Sequence, residues 1–540
     1  MMRIEDFPRP KDDNGRGLHW SASVYHPTGA ELDFWINELL AMKIKWVKLL
    51  DDGGGSSLEL CRRLLEADIM PVVRMYREKP NPGRLTGEQL ETVRRLIALG
   101  VRYFETNNEP DLSGEWREPM PENWLEIVAD NFIWDADQVI ALGGLPAVPA
   151  MSVGRKENLI SVVVDKGRGD LFEKGVWVAI HNYTLNHPLD YPDDDVNQHG
   201  RPLTPEEYEE YARWAYSGLS YEEVIALGVE MSRDDYNKFN NWAWDGRSME
   251  MVNELRAQNA NPGQTVFDDP HCFRGWETAG KMIYDVLGFY VPVISTEGGP
   301  VVGWGDDKRY AKVNPWTQME WQLDIVRFMQ SQAPPWYFAC CTWLIAAYRM
   351  GDFNYTWEQM AWYTNAWDLQ FGLQGELPIV QALKDEPAVV RPELRLGTGV
   401  IEGIIFTGGT ALSKVYFPKI WRLSEDLDFI SPTGDFGGVK AKLPDIFSLI
   451  EHESGINLRL KSVHENPFYL QLKIQYSAVL GKNWAKVDIT EDLPGESTEV
   501  EIPPAYSDYP NFSMRVETVE SILAGKLRAL LQRSKCRDYY

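Results

Sequence analysis

The first 390 residues alternate short apolar runs with amphipathic stretches. Each apolar run has the length of a strand, and the stretches between most of them have the spacing of apolar residues that is typical of a helix. Several runs are apolar at nearly every position, as expected for strands buried on both faces. Eight runs fit this description: 19–25, 44–52, 69–77, 101–110, 145–152, 176–184, 291–299 and 337–345.

Eight strands that alternate with helices predict an α/β fold, and their number favours a closed (β/α)8 TIM barrel over residues 1–390. An open doubly wound sheet is the alternative, but no Gly-rich phosphate loop follows the first strand. Residues 185–285 form a long insertion between the sixth and seventh strands, rich in Asp, Glu, Tyr and Trp. Insertions at this end of a barrel build the wall of its cleft, and we expect the same here.

The composition changes near residue 391. Residues 391–403 contain Pro and charged residues without periodicity, which predicts a linker or junction. A second, smaller domain follows it over 404–540, for which the family resemblance given below implies an α+β fold. The chain therefore divides into two domains, as expected for its 540 residues.

The charge and the cysteines exclude several classes of function. A net charge of −26 argues against general affinity for nucleic acid. No run of 18 apolar residues occurs, so no membrane span is expected, and the polar N-terminus predicts a cytoplasmic location. The five cysteines are scattered without metal-ligand spacing, which predicts reduced thiols.

Two glutamates lie where a barrel would place a pair of catalytic carboxyl groups. Glu109 ends the fourth predicted strand in ETNNEP, and Glu297 ends the seventh in ISTEGG. The carboxyl ends of barrel strands open into one mouth, so the two side chains are expected to converge there. Glycoside hydrolysis needs such a pair, one to protonate the leaving oxygen and one to face the anomeric carbon.

Asn-Glu-Pro on strand four and a Glu on strand seven resemble the largest clan of retaining barrel glycosidases, which includes cellulase-like and xylosidase-like families. The resemblance implies Glu109 as acid/base and Glu297 as nucleophile, with no cofactor and a carbohydrate substrate. It also implies that Asn108 binds the sugar 2-hydroxyl. Further substrate-binding positions are His181 and Tyr183 in HNY, Trp343 in CTW, and Arg74, which ends the third strand.

The second domain carries a pattern that is typical of phosphoryl chemistry. Gly408 and Gly409 form a turn that allows backbone amides to approach a phosphate. Asp426 and Asp428, two residues apart in a predicted strand, point to one face and can hold Mg²⁺. Asp488 on another predicted strand is the best candidate for a third carboxylate ligand.

GGTALSK followed by SEDLDF resembles the AbiEii/AbiGii family of nucleotidyltransferase-like toxins. The resemblance covers residues 401–540 and implies Mg²⁺ and a nucleoside triphosphate as cofactors, and a cognate antitoxin or tRNA as partner. It assigns nucleotide binding to Gly408, Gly409, Thr410, Lys414 and Lys526, the last in a tail motif with Arg537 and Asp538. Barrel-like sequence reaches almost to the Gly-Gly motif and the tail motif ends at Tyr540, so a partial domain is expected.

Three hypotheses follow from these patterns. The first is a retaining β-glycoside hydrolase fused to a nucleotidyltransferase-like domain. The second is a Mg-dependent nucleotidyltransferase toxin of a toxin–antitoxin system whose barrel is incidental. The third is a carbohydrate-binding barrel without catalysis, against which the presence of both Glu109 and Glu297 argues.

Overall fold

The structure is a computed structural model. It divides into two compact units, Met1–Arg391 and Pro392–Tyr540. The ranges that it describes are 2–77, 79, 83–346, 359–391, 405–407, 426–434, 436–454, 457–478, 481–492, 497–502 and 512–524.

The first unit contains a closed barrel of eight parallel strands in chain order, which confirms the predicted (β/α)8 fold. The barrel closes where Arg16 pairs with Cys340 and Leu18 pairs with Thr342. The strands are β1 Arg16–His19, β2 Trp46–Asp51, β3 Met70–Met75, β4 Tyr103–Glu105, β5 Leu145–Val148, β6 Trp177–Leu185, β7 Val293–Pro300 and β8 Tyr337–Thr342.

The first strand lies earlier in the chain than the predicted run 19–25, so that prediction was wrong in its bounds. A Cβ atom on Gly17 would lie 2.7 Å from the carbonyl oxygen of Cys340, and glycine therefore allows β1 to approach β8 closely. The strand ends at His19, which places this side chain at the mouth of the barrel.

Helices connect the strands of the barrel in most places. The first five connections contain α1 Gly29–Ala41, α2 Leu58–Glu66, α3 Gly87–Leu99, α4 Trp124–Ala141 and α5 Leu159–Asp165. The insertion 185–285 contains α6 Asp195–His199, α7 Pro205–Ala212, α8 Tyr221–Ala226, α9 Arg233–Asn240, α10 Met249–Gln258 and most of α11 Gly275–Leu287. Helix α12 Pro315–Ser331 precedes β8, and the helices Asp368–Phe371 and Pro378–Asp385 follow it.

The interior of the barrel changes from apolar to charged toward the carboxyl ends of its strands. Trp46, Tyr103 and Trp177 pack edge to face, with ring centroids 5.4 and 5.7 Å apart. Two residues further along β2 and β4, Lys48 and Glu105 form an ion pair that is almost completely buried. Side chains two residues apart on a strand point the same way, so the ion pair lies between the aromatic layer and the mouth.

The second unit contains a seven-stranded mixed sheet, as expected for an α+β domain. The helix Phe436–Ser454 packs on it through an apolar cluster that includes Phe436, Leu443 and Leu472. The strands of the sheet are β9 Ile405–Thr407, β10 Asp426–Ser431, β11 Asn457–Asn466, β12 Tyr469–Ala478, β13 Gly481–Glu491, β14 Ser497–Ile502 and β15 Phe512–Glu517. Their order in the sheet is β11-β12-β13-β10-β9-β15-β14.

Arg391, the first residue of the predicted junction 391–403, is fully buried and bonds to the barrel, where its backbone N–H donates to the oxygen of Asp13. Residues 392–403 lie outside the described part of the chain. Within the described ranges, no helix has both the length and the apolarity needed to cross a bilayer.

Candidate active site in the barrel mouth

Glu109 lies four residues beyond the end of β4, on a turn with an unusual backbone conformation. Its φ angle is +37°, in the left-handed region that non-glycine residues seldom adopt. The turn is held by two hydrogen bonds, because the Glu109 N–H donates to the Ala150 oxygen at 3.0 Å and the Leu112 N–H donates to the Glu109 oxygen at 3.0 Å. This conformation places the Glu109 side chain in the barrel mouth.

Glu297 lies in β7, where the pairing with β6 changes register. Ile180 pairs with Ser295, but the next residue of β6, His181, pairs with Glu297. Because of this register shift, the side chains of the consecutive residues Thr296 and Glu297 both lie on the inner side of the barrel. Thr296 donates a hydrogen bond to Glu105 at 2.8 Å, and Glu297 reaches the mouth.

A single imidazole ring, that of His181, contacts both carboxyl groups. Its Nδ1 lies 2.8 Å from Oε1 of Glu109, and its Nε2 lies 3.8 Å from Oε1 of Glu297. One imidazole ring therefore lies between the two carboxyl groups, with a hydrogen-bond contact to Glu109 and a longer contact to Glu297. Although 188 positions apart in the chain, both glutamates belong to one site.

Glu297 is held as an anion by its surroundings. Burial alone would raise the pKa of Glu297, but the positive charges of His181, His19, Lys48 and Arg74 lower it to about 2. Burial and the Lys48 charge depress the pKa of His19 itself well below its usual value, so His19 is neutral at pH 7. Arg74 and Lys48 therefore carry positive charge near Glu297 at neutral pH, and although burial lowers the pKa of His181, the Glu297 and Glu109 carboxylates raise it overall.

The two oxygens of Glu297 have different surroundings. The Tyr183 hydroxyl donates to Oε2 at 2.9 Å. Oε1 faces Arg74 Nη1 at 3.5 Å and His19 Nε2 at 3.8 Å, distances too long for direct hydrogen bonds. One oxygen is thus fixed by a short hydrogen bond, while the other faces positive charge without a short contact to these groups.

Arg74, Asn108 and Glu115 form a hydrogen-bonded chain beside the two glutamates. Arg74 Nη1 donates to the amide oxygen of Asn108. The Asn108 amide nitrogen donates to Oε1 of Glu115 at 3.3 Å. Arg74 thereby connects this chain to Glu297 through its 3.5 Å contact.

Aromatic side chains and the insertion form the walls of the mouth, a cavity of about 920 Å³. Trp343, beyond the end of β8, packs against His19 with ring centroids 4.5 Å apart. Trp304, from the loop after β7, packs against Tyr183 at 4.8 Å. Asp245 of the insertion also lines the cavity, which agrees with the expectation that the insertion contributes to the wall.

Each barrel residue predicted to form the site is close to it. Glu109, Glu297, Asn108, Tyr183, Trp343 and Arg74 line the cavity, and His181 contacts both glutamates. Sequence reasoning missed His19, Glu115, Trp304 and Asp245. The position of His19 at the end of a strand was a usable signal, but the predicted strand began at that residue and so hid it.

The predicted nucleotide and metal residues of the second unit are described only in part. Asp428 on β10 pairs in register with Asp488 on the parallel strand β13. Asp488 is ion-paired with Lys486 at 2.5 Å and accepts a hydrogen bond from the Tyr469 hydroxyl at 2.7 Å. No cluster of three metal-ligating side chains occurs among the residues that the structure describes.

The remaining predicted residues of this site lie outside the described residues. They are Gly408, Gly409, Thr410, Lys414, Lys526, Arg537, Asp538 and the side chain of Asp426.

The first unit is a (β/α)8 barrel with two carboxyl groups in its mouth, and the region after it matches a nucleotidyltransferase family. Residues 400–540 match the family described as nucleotidyl transferase AbiEii toxin, Type IV TA system. No curated protein matches the chain.

Solved structures resemble each part at low identity. MenT4, a nucleotidyltransferase toxin from Mycobacterium tuberculosis, is 20% identical over 27% of this chain, with a TM-score of 0.23. This chain spans about half of MenT4, 51% of its length. A monomeric β-xylosidase from Caulobacter crescentus is 13% identical, with 70% of this chain and 68% of that one covered and a TM-score of 0.34. An endo-β-1,3-glucanase from Amycolatopsis mediterranei is 11% identical, with 69% and 98% covered and a TM-score of 0.33.

Proposed function

We propose that the barrel is a retaining β-glycoside hydrolase in which Glu109 is the acid/base and Glu297 the nucleophile. The observation that carries the proposal is the contact of one imidazole, His181, with both carboxyl groups inside a single cavity. A pair of carboxyl groups about 5 to 5.5 Å apart serves retention, and about 6.5 to 9.5 Å serves inversion. The contacts through His181 bring the two carboxyl groups into one cavity, and the assignment of retention rests on the resemblance of the Asn-Glu-Pro motif and the strand-seven Glu to retaining glycosidases.

The two glutamates have surroundings that suit different tasks. The basic groups around Glu297, among them Lys48 and Arg74, lower its pKa and keep it ionised, as a nucleophile must be. Its Oε1, which faces positive charge at 3.5 Å or more, is the oxygen available to attack the anomeric carbon. Glu109 would protonate the leaving oxygen in the first step and then activate a water, while Trp343 offers an apolar surface to the sugar.

The proposal is tested with nitrophenyl β-glycosides of several sugars and the variants Glu109→Ala and Glu297→Ala. The wild type should release nitrophenol, and both variants should lose most of this activity. Added azide separates the roles, because it should give the β-glycosyl azide with Glu109→Ala and the α-glycosyl azide with Glu297→Ala. Activity that is unchanged in both variants rejects the assignment, and an inverted first product in NMR rejects retention.

Glu118→Ala is a matched control for these variants. Glu118 is exposed and lies in the same segment after β4, but it does not line the cavity. Its replacement should leave the rate unchanged.

We also propose nucleotidyl transfer by the second unit, because residues 400–540 match the AbiEii family and Asp428 lies beside Asp488 on parallel strands. Asp426, Asp428 and Asp488 would hold Mg²⁺, which neutralises the triphosphate of a bound nucleotide. Lys486 is ion-paired with Asp488, so this lysine must move for Asp488 to become a ligand. The proposal includes tRNA as the acceptor of the nucleotide and a cognate antitoxin as a binding partner.

The test incubates the full chain with labelled nucleoside triphosphates, Mg²⁺ and tRNA. Transfer should occur with the wild type and disappear when both Asp426 and Asp428 are replaced by Ala. Glu465→Ala, which removes an exposed carboxylate paired with Lys440, should retain transfer. Transfer that survives the double substitution rejects the metal site.

A further inference from the structure

Glu115 is a third carboxyl group in the barrel mouth, and its position is well fixed. It ends a single 3-10 turn, Ser113–Glu115, shortly after Glu109. The Leu112 N–H donates to the Glu109 oxygen, and the Glu115 N–H donates to the Leu112 oxygen, both at 3.0 Å. The indole N–H of Trp116 donates to the Pro110 oxygen at 2.9 Å. The Glu115 carboxyl group therefore lies on a turn that is bonded directly to the backbone of Glu109.

The contacts of Asn108 give its amide one defined orientation. Its oxygen accepts from Arg74, which can only donate, and its nitrogen donates to Glu115. Rotation of the amide by half a turn would place NH₂ against the Arg74 guanidinium and the carbonyl oxygen against the carboxyl group. Both contacts would then be lost, so Arg74 and Glu115 together determine which end of the amide faces which neighbour.

A primary amide has two N–H groups, and Glu115 accepts from one of them. Asn108 lines the cavity, where the second N–H is available to a ligand. A sugar hydroxyl at this position must accept a hydrogen bond from Asn108. Its own proton is then free to point toward the Glu297 carboxylate.

We propose that Glu115 is a positioning residue that acts through Asn108. The resemblance to retaining glycosidases already implies that Asn108 binds the sugar 2-hydroxyl. Glu115 adds a fixed orientation of the amide, so that Asn108 donates to this hydroxyl and the hydroxyl in turn donates to Glu297. The inference rests on the proposed glycosidase function and adds the direction of the hydrogen bonds. Burial raises the pKa of Glu115, but the protonated group keeps a carbonyl oxygen that can accept from Asn108.

The position of Glu115 leads to distinct expectations for two substitutions. Glu115→Ala removes the acceptor and frees the amide, so kcat/KM should fall about 10- to 100-fold, as for other losses of alignment. Glu115→Gln keeps an amide oxygen at the same place and should restore most of the activity. A rescue by Gln shows that the acceptor, rather than the charge, is what the site requires.

A substrate without the relevant hydroxyl tests the route through Asn108. The experiment compares the nitrophenyl β-glycoside that the wild type hydrolyses fastest with its 2-deoxy counterpart, in wild type, Glu115→Ala, Glu115→Gln and Glu118→Ala. On the 2-deoxy substrate, wild type and Glu115→Ala should have nearly equal kcat/KM, because the contact is already missing. Glu118→Ala should match the wild type on both substrates.

Three outcomes overturn the inference while the glycosidase function stands. They are an equal loss for Glu115→Ala on both substrates, no loss on either, and a Gln variant as poor as the Ala variant. Failure of the glycosidase proposal has a different signature, since Glu109→Ala and Glu297→Ala would then match the wild type. In that event the role of Glu115 is rejected with it. Thermal unfolding of each variant identifies a loss that arises from misfolding.

Discussion

Lys48 and Glu105 form an ion pair inside the barrel, with 2.5 Å between Nζ and Oε2. Glu105 also accepts a hydrogen bond from Thr296, the residue before Glu297. The pair thus lies directly below the candidate nucleophile. Its ammonium charge is one of those that lower the pKa of Glu297.

Lys48→Met should change both stability and pH dependence. Breaking a buried pair leaves an uncompensated carboxylate, which costs about 3–5 kcal/mol of unfolding free energy. Loss of the Lys48 charge should also raise the pKa of Glu297 and move the acidic limb of the kcat/KM profile to higher pH. The double variant Lys48→Met/Glu105→Leu should regain stability, while the acidic limb of its kcat/KM profile should remain displaced to higher pH. An acidic limb that does not move in Lys48→Met would contradict the effect of Lys48 on the pKa of Glu297.

Glu297 should make the stability of the barrel depend on pH. Its pKa is lowered from 4.5 to about 2, so its ionised form stabilises the folded state above pH 4.5. This contribution, about 3 kcal/mol for such a shift, should be lost as the pH falls toward 2. The test measures the free energy of unfolding by denaturant at several pH values between 6 and 2, conditions chosen to span the shift. The slope of this free energy against pH should be weaker in Glu297→Gln than in the wild type. Glu118→Gln is the control, and equal slopes in all three proteins would refute the expectation.

Tyr183→Phe removes the short hydrogen bond to Oε2 of Glu297. Hydrogen bonds to charged groups contribute about 1.5–3 kcal/mol, so kcat/KM should fall about 10- to 100-fold. The pKa of Glu297 should also rise, which would appear as a shifted acidic limb. A variant with the wild-type rate and profile would show that Tyr183 does not support the nucleophile.

Asp245 connects the insertion to the loop after β7. Its carboxylate is ion-paired with Lys308 at 3.0 Å and with Lys312. Asp245→Ala should raise KM more than it lowers kcat, since the wall of the cavity loosens while the two glutamates stay in place. Limited proteolysis should cut the insertion faster in this variant, and Asp245→Asn should behave similarly because it also lacks the charge. Unchanged proteolysis would show that these ion pairs do not hold the wall.

The alternation of strands and helices was enough to predict the barrel and the two glutamates, because strand ends in a closed barrel converge on one mouth. The predicted bounds of β1 were wrong, because the close approach of Gly17 to Cys340 is a tertiary contact that leaves no signal in the local sequence. The register shift that pairs His181 with Glu297 depends on two strands that are distant in sequence. Glu115 lies on a turn whose position is set by bonds to Glu109 and Pro110, and its role could be found only in three dimensions.

The left-handed backbone at Glu109 implies that the proposed acid/base is kept at some expense in folding stability. A residue with a Cβ atom at φ +37° costs about 1 kcal/mol or more, and glycine would relieve this strain. Glu109→Gly should therefore be more stable than Glu109→Ala, although both lack the carboxyl group. On the proposed function, the turn keeps the carboxyl group of the acid/base in place of the stability that glycine would give.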